Sequence, residues 1–180
     1  MKKVLSAVAI SAILSTDVMG ADFIKGGYYG GFGVGFEDYS TYSSIDPGMT
    51  LVLNGGKPII KLGPGTIGAE AEFTYTLIPL SYDYNSDWEL DIMTLGGYAT
   101  YTFDHSDKLY SRVKLGIVHR DYSWDYDNSS SWHSDYNEIG VAAGIGAGYK
   151  LNSMMRIYSD LIVLDSTDLK QLNFGVQIGF

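Results

Sequence analysis

The sequence predicts an all-β chain: an eight-stranded antiparallel transmembrane up-and-down β-barrel preceded by a signal peptide. Three observations carry this reading. From Gly27 onward, apolar residues alternate with polar residues or glycine at a period of two, the mark of strands with unlike faces. The chain holds 22 glycines and 15 tyrosines but no cysteine, which suits many strands with aromatic ends and no disulfide framework. The first residues carry the pattern of an export signal.

A length of 180 residues suits one domain. Mean hydropathy is +0.00, which excludes a bundle of membrane helices. At the N-terminus, Lys2 and Lys3 precede the apolar run Val4 to Leu14, and the small residues Gly20 and Ala21 follow. Residues 1–20 are therefore expected to be a cleaved signal peptide, with 21–180 forming the barrel domain. Cleavage removes two lysines and Asp17, taking the formal charge from −9 to −10. So acidic a protein, without a basic patch, is not expected to bind nucleic acid.

The strands follow in order. In GGYYGGFGVGFE, Tyr28, Phe32, Val34 and Phe36 share a face opposite Gly31, Gly33, Gly35 and Glu37. The second, PGMTLVLNGGKPII, is the weakest, because Lys57 and Pro58 interrupt it and proline removes a ladder donor. Its regular part is set at Met49 to Gly56, with a bulge or early end near Gly55. TIGAEAEFTYTL opposes Ile67, Ala69, Ala71, Phe73 and Tyr75 to Gly68, Glu70, Glu72 and Thr74. In DIMTLGGYATYTF the oily set is Met93, Leu95, Ala99, Tyr101 and Phe103. LYSRVKLGIVHR opposes Leu109, Val113, Leu115 and Ile117 to Tyr110, Arg112, Lys114 and Arg120. EIGVAAGIGAGYK sets Ile139, Val141, Ala143, Ile145 and Ala147 against Glu138, Gly140, Gly144, Gly146 and Gly148. MRIYSDLIV sets Ile157, Leu161 and Val163 against Arg156, Tyr158 and Asp160. The final run alternates Leu172, Phe174, Val176, Ile178 and Phe180 with Gln171, Asn173, Gly175, Gln177 and Gly179.

Connections alternate in length. Short links at 61–65, 104–108 and 152–153 suit periplasmic turns, and long ones at 38–48, 78–88 and 122–135 suit outward loops; a fourth outward loop, 165–169, is short.

A soluble barrel turns bulky apolar residues inward, whereas a membrane barrel turns them toward lipid. Here the other face carries glycine and charge, which fits the small interior of eight strands. Glu37, Glu70, Glu72, Glu138 and Asp160 nearly balance Arg112, Lys114, Arg120, Lys150 and Arg156. A lumen network is expected, with Glu72 paired to Arg112 or Lys114 and Glu138 to Arg120; Glu37 and Lys150 belong either to it or to the solvated rims. Such a network would plug the lumen. Tyr28, Phe36, Tyr75, Tyr101, Phe103, Tyr149 and Phe180 suit two aromatic girdles.

The signal peptide, the GAEAEFTYTL, GGYATYTF and RVKLGI strands and the terminal Phe180 resemble the small outer-membrane β-barrel proteins of the OmpA/OmpX-like superfamily. The resemblance implies a Gram-negative outer membrane, contact with its lipid and lipopolysaccharide, and recognition of Phe180 by the barrel assembly machinery. It also implies that the peptidoglycan-binding domain of larger relatives is missing.

No convergent catalytic set is visible, and no cofactor or metal is expected. His133 lies beside Ser134 and Asp135, but adjacent loop residues rarely reach triad geometry. Asp125, Asp127 and Asp135 match no defined calcium loop. Tyr122, Trp124, Tyr126, Trp132 and Tyr136 form a candidate surface for a glycan or host protein. The leading expectation is a structural or surface barrel; an adhesin, a narrow pore and a lipid A-modifying enzyme are the alternatives.

Overall fold

The computed structural model describes residues 27–39, 45–82, 85–126, 134–164 and 169–180. They form ten strands: β1 (Tyr29–Tyr39), β2 (Ile45–Asp46), β3 (Gly48–Leu62), β4 (Gly65–Ile78), β5 (Leu80–Tyr82), β6 (Asn85–Asp104), β7 (Leu109–Tyr126), β8 (Ser134–Lys150), β9 (Met155–Leu164) and β10 (Leu169–Gly179). The signal-peptide residues 1–20 lie outside the described residues.

Eight of these strands make the barrel. They pair antiparallel in the order β1, β3, β4, β6, β7, β8, β9, β10. The ring closes where β10 returns to β1, in a register running from Tyr29↔Gly179 to Tyr39↔Leu169. Closure matters because hydrocarbon offers no partner to an open edge. The short β2 and β5 lie outside the ring, with β2 on β5 and β5 on β6.

Burial follows the alternation, in the sense opposite to a soluble protein. Phe32, Leu115, Ile117, Ile145 and Phe174 are exposed, while Glu70, Glu72, Arg112, Lys114 and Asp160 are buried. Charges inside and oil outside decide between the two kinds of barrel, because only lipid makes that arrangement favourable. The rings of Phe36, Tyr75 and Tyr136 stand exposed near the outer ends of their strands, and Phe180 near the opposite end.

Three short turns close the periplasmic end. Gly63, between β3 and β4, has φ of 59°, a conformation glycine adopts without penalty. Between β7 and its predecessor, Ser106 Oγ accepts the Leu109 amide at 3.0 Å. Between β8 and β9, Asn152 Oδ1 accepts the amides of Met154 and Met155, both at 2.8 Å.

Two boundaries differ from the sequence reading. The second barrel strand does not stop at Gly56 but runs to Leu62, with register shifts at Met49/Thr50 and, beside the proline, at Pro58/Ile60. The irregularity absorbs the missing proline donor without ending the strand. The outward links are also shorter than expected. β5 and the start of β6 occupy much of 78–88, and β7 and β8 pair as far out as Trp124↔Ser134. Tyrosine, tryptophan and serine hide no strand breaker, so pairing continues beyond the membrane.

The inward glycines have a purpose beyond lining a narrow space. Tyr29, Tyr98, Tyr110 and Tyr158 are all buried inside the barrel. A Cβ on Gly96 would lie 2.6 Å from Tyr98 Cε2, and one on Gly175 would lie 2.7 Å from Tyr158 Cε1. The Tyr98 ring thus lies over Gly96 of its own strand, and the Tyr158 ring lies against neighbouring β10 where that strand has no side chain. Gly96→Ala is expected to destabilise the barrel by about 1–3 kcal/mol through overpacking. Tyr98→Ala in the same chain should return part of that loss, a coupling readable from urea unfolding in lipid vesicles.

Candidate functional site

The interior is the most elaborately built part of the molecule. Strand parity turns Glu70 and Glu72 of β4, Arg112 and Lys114 of β7 and Asp160 of β9 into one volume, where each is at most 2% exposed. Lys114 Nζ stands 2.6 Å from Glu70 Oε1, 2.8 Å from Glu72 Oε2 and 3.5 Å from Asp160 Oδ2. Arg112 donates through Nη1 to Glu70 Oε2 at 3.1 Å, and through Nε and Nη2 to both oxygens of Asp160. A guanidinium that meets a carboxylate on two edges is held in orientation as well as in place.

Neutral groups finish the shell. Tyr29 Oη donates to Glu70 Oε2 at 2.7 Å, and Gln177 Nε2 donates to Asn54 Oδ1 at 2.8 Å. The Arg112 guanidinium lies 4.6 Å from the Tyr158 ring centroid, and Lys114 Nζ lies 4.6 Å from that of Tyr98. The carboxylates therefore meet donors, and the cations meet both carboxylates and ring faces.

Carboxylate oxygens of Glu70, Glu72 and Asp160 lie within 4.8 Å of one another, a donor set that a metal ion could use. The Lys114 ammonium stands within 3.5 Å of all three side chains and takes that role.

The other candidates occupy different levels. Arg120 is fully buried, with Nη2 3.8 Å from Glu138 Oε2. Arg156 donates to Gln177 Oε1 at 2.6 Å and lies over the rings of Tyr29 and Tyr110. Glu37 is fully buried and accepts from Gln171 at 3.4 Å, so it belongs to the interior. Lys150 belongs to the rim, where it pairs with Asp104 at 2.8 Å.

Sequence reasoning missed two features. Lys57 is buried, with Nζ 3.0 Å from Tyr28 Oη; its place after the disputed end of the second strand concealed it. The larger omission is an apolar layer. Leu80, Leu90, Ile92, Val118, Tyr122, Ala142, Ile162, Leu164 and Leu169 form one buried cluster at the outward end of the lumen. The signal was available in Leu90 and Ile92, whose parity opposes that of Met93 and Leu95.

This layer corrects the surface reading of Tyr122. Its side chain is 5% exposed, because Tyr122 shares the inward parity of Val118 and Arg120. Trp124 and Tyr136 do reach the surface, at 36% and 59% exposure. Tyr136 still stacks on Tyr122, with centroids 6.2 Å apart. The side chain of Tyr126 and all of Trp132 and His133 lie outside the described residues.

The two described histidines sit apart. His119 Nε2 lies 3.5 Å from Asp121 Oδ1 on the outer face of β7, and His105 Nε2 lies 2.9 Å from Ser111 Oγ near the periplasmic rim. The second pair has hydroxyl and imidazole in reach, but among the described residues no carboxylate orients the His105 ring.

A lumen packed with ion pairs lies within an outward sheath of apolar side chains, and the chain matches a known family model, the outer membrane protein beta-barrel domain, over residues 5–180. The chain belongs to the outer membrane protein beta-barrel family. Its place is the bacterial outer membrane. No curated protein sequence matches it. Among solved structures it is similar to Ail, the attachment invasion locus protein of Yersinia pestis, with a TM-score of 0.59 and 11% identity, covering 85% of this chain and 98% of that one. It is similar to Neisserial surface protein A, with a TM-score of 0.59 and 13% identity over 86% and 97% of the two chains. A third likeness is the N-terminal barrel domain of Pseudomonas aeruginosa OprF, with a TM-score of 0.54 and 12% identity over 86% and 98%. At such identities the likeness is one of fold.

Removing Lys114 should expose how much this family member depends on its interior. Lys114→Met leaves Glu70 and Glu72 short of a cation and is expected to cost about 3–5 kcal/mol. Glu72→Gln in the same chain should recover part of it, measured as the urea midpoint of the vesicle-embedded protein.

Proposed function

We propose that this protein is a closed structural barrel that carries a recognition surface on the cell exterior and conducts no ions. The observation that carries the reading is the filling of the lumen at two levels by different chemistry. The Glu70, Glu72, Arg112, Lys114 and Asp160 cluster blocks the periplasmic half, and the Leu90, Ile92, Val118, Ile162 and Leu169 layer blocks the outward half. An ion would have to break salt bridges and then cross an apolar layer. The periplasmic mouth, lined by Tyr29, Lys57 and Arg156 among others, leaves about 40 Å³, room for water and not for a channel. Planar bilayer recordings should detect no discrete conductance, and reproducible unit steps from the purified protein would reject the reading. Among the described residues neither His105 nor His119 is set between a hydroxyl and a carboxylate, which favours a non-enzymatic role.

A binding role has its own observation. β6, β7 and β8 pair beyond the point where β9 ends at Leu164, and they carry Trp124 and Tyr136 outward. Flat rings beside short polar groups suit a glycan or a host protein. Ail has been solved with the heparin analogue sucrose octasulfate, a polyanion. The exterior of this chain carries exposed Asp38, Asp46, Glu89 and Asp91, against Lys170 among the described cations. A neutral sugar or a basic protein segment suits that surface better than a polyanion does. Trp124→Ala combined with Trp132→Ala should lower cell-surface binding at least about tenfold while the folded gel mobility is kept. Undiminished binding would remove the loops from the account.

Export is read from residues 1–20, and assembly from the exposed ring of Phe180. The intact mass of the membrane form should correspond to a chain beginning at Ala21.

A further inference from the structure

The lysines and arginines of the described residues are unevenly distributed. Lys57, Arg112, Lys114, Arg120 and Arg156 are buried in the barrel. Of the rest, Lys61, Lys108 and Lys150 line a single cavity of about 320 Å³, and only Lys170 lies at the outward end. Among the described residues, three of the four lysines outside the lumen thus gather at one place on the periplasmic rim.

All three periplasmic turns build this cavity, and they hold one another. The Lys150 amide donates to the Lys108 carbonyl at 2.8 Å. Lys150 Nζ is fixed on Asp104 at 2.8 Å, and Lys108 Nζ lies 5.8 Å from the Tyr149 ring centroid. The Ser106 and Asn152 side chains cap the turns that present these lysines. Asp104 and Asp107 also line the cavity, so three ammonium groups face two carboxylates. The lining side chains thus carry one positive charge more than negative, and the turns that hold them are ordered on folding.

The lip of the cavity is apolar. Leu151 lines it at 50% exposure, and Leu109 and Met154, at 53% and 51%, continue toward the lipid-facing strands. A free anion has no use for such a lip, whereas a lipid does.

We propose that this cavity binds the phosphate headgroup of one anionic phospholipid of the periplasmic leaflet, whose acyl chains run over Leu151, Met154 and Leu109. Cationic pockets at a membrane boundary recognise headgroups by this combination of charge and adjoining apolar surface.

Native mass spectrometry of the whole purified protein in detergent tests this, with phosphatidylglycerol, phosphatidylcholine and inorganic phosphate titrated in separate arms. The intact barrel should retain one phosphatidylglycerol with at least about tenfold preference over phosphatidylcholine. Lys61→Gln with Lys108→Gln should bring the two lipids to parity, while Lys170→Gln leaves the preference unchanged. Leu151→Ser with Met154→Ser should weaken retention of both lipids. Heat-modifiable gel mobility verifies that each variant is folded. Equal retention of the two lipids by the intact protein would overturn the site, as would a preference that survives the double lysine change. Displacement of lipid by inorganic phosphate, with no effect of the apolar changes, would assign the cavity to free phosphate and overturn the lipid.

Discussion

The antiparallel pairing of β10 with β1 is the contact on which the rest of this molecule depends. Without it, two strands would present unpaired N–H and C=O groups to hydrocarbon, at several kcal/mol for each group left unsatisfied. With it, every barrel strand has two neighbours and two faces, and parity assigns each side chain to lipid or to the interior. A slip of one residue between Val34 and Phe174 would turn Phe32 and Phe36 inward and Glu37 toward lipid. Charge in the lumen and phenylalanine on the outside therefore enforce the register that closure needs.

Closure of only eight strands leaves an interior that side chains must fill. The chain fills it in two ways. Toward the periplasm, four tyrosines rest against glycine-bare backbone and meet the cations from one side while carboxylates meet them from the other. An ammonium taken from water loses solvation worth several kcal/mol, and no single carboxylate repays that. Lys114, with two carboxylates within 2.8 Å and a ring face behind it, has the repeated compensation that burial demands. Toward the exterior, a cluster of aliphatic side chains fills much of the space beside the fully buried Arg120 and Glu37. The interior is thus charged toward the periplasm and mixed toward the exterior, where an apolar cluster adjoins a few buried polar groups.

Much of this was legible in the alternation. Runs such as LNFGVQIGF hold their period without interruption, and the observed faces of Phe174 and Asn173 are those that parity assigns. The depth of a residue is harder to read than its face. Parity sends Tyr122 inward, yet its setting among tyrosines, tryptophan and aspartates suggests an exposed loop. Only the length of the β7–β8 pairing shows that the strand continues there. Lys57 was hidden for a related reason, since the adjoining Pro58 looks like an end when it is only a bulge. The apolar layer eluded a reading that equates the inward face with polarity. Leu90 and Ile92 lie inward, where they join Val118, Tyr122 and Ile162 in one buried apolar cluster.

The distribution of charge connects this interior to what the surfaces can do. Among the described residues, five of the nine lysines and arginines are buried in the barrel, and of the other four only Lys170 lies away from the periplasmic turns. Such polarity restricts each end differently. A lipopolysaccharide phosphate at the outer rim would face the exposed carboxylates of Asp38, Asp46, Glu89 and Asp91, so contact there would go through aromatic rings, neutral polar groups or bridging cations. A phosphate at the periplasmic rim would face the ammonium groups of Lys61, Lys108 and Lys150. A barrel of similar fold with its spare arginines and lysines facing outward would have the reverse preferences, which is why a polyanion bound by one relative says little about the ligand of another. The fold is common to all of them; the charges that an individual lumen consumes determine which charges are left for its surfaces.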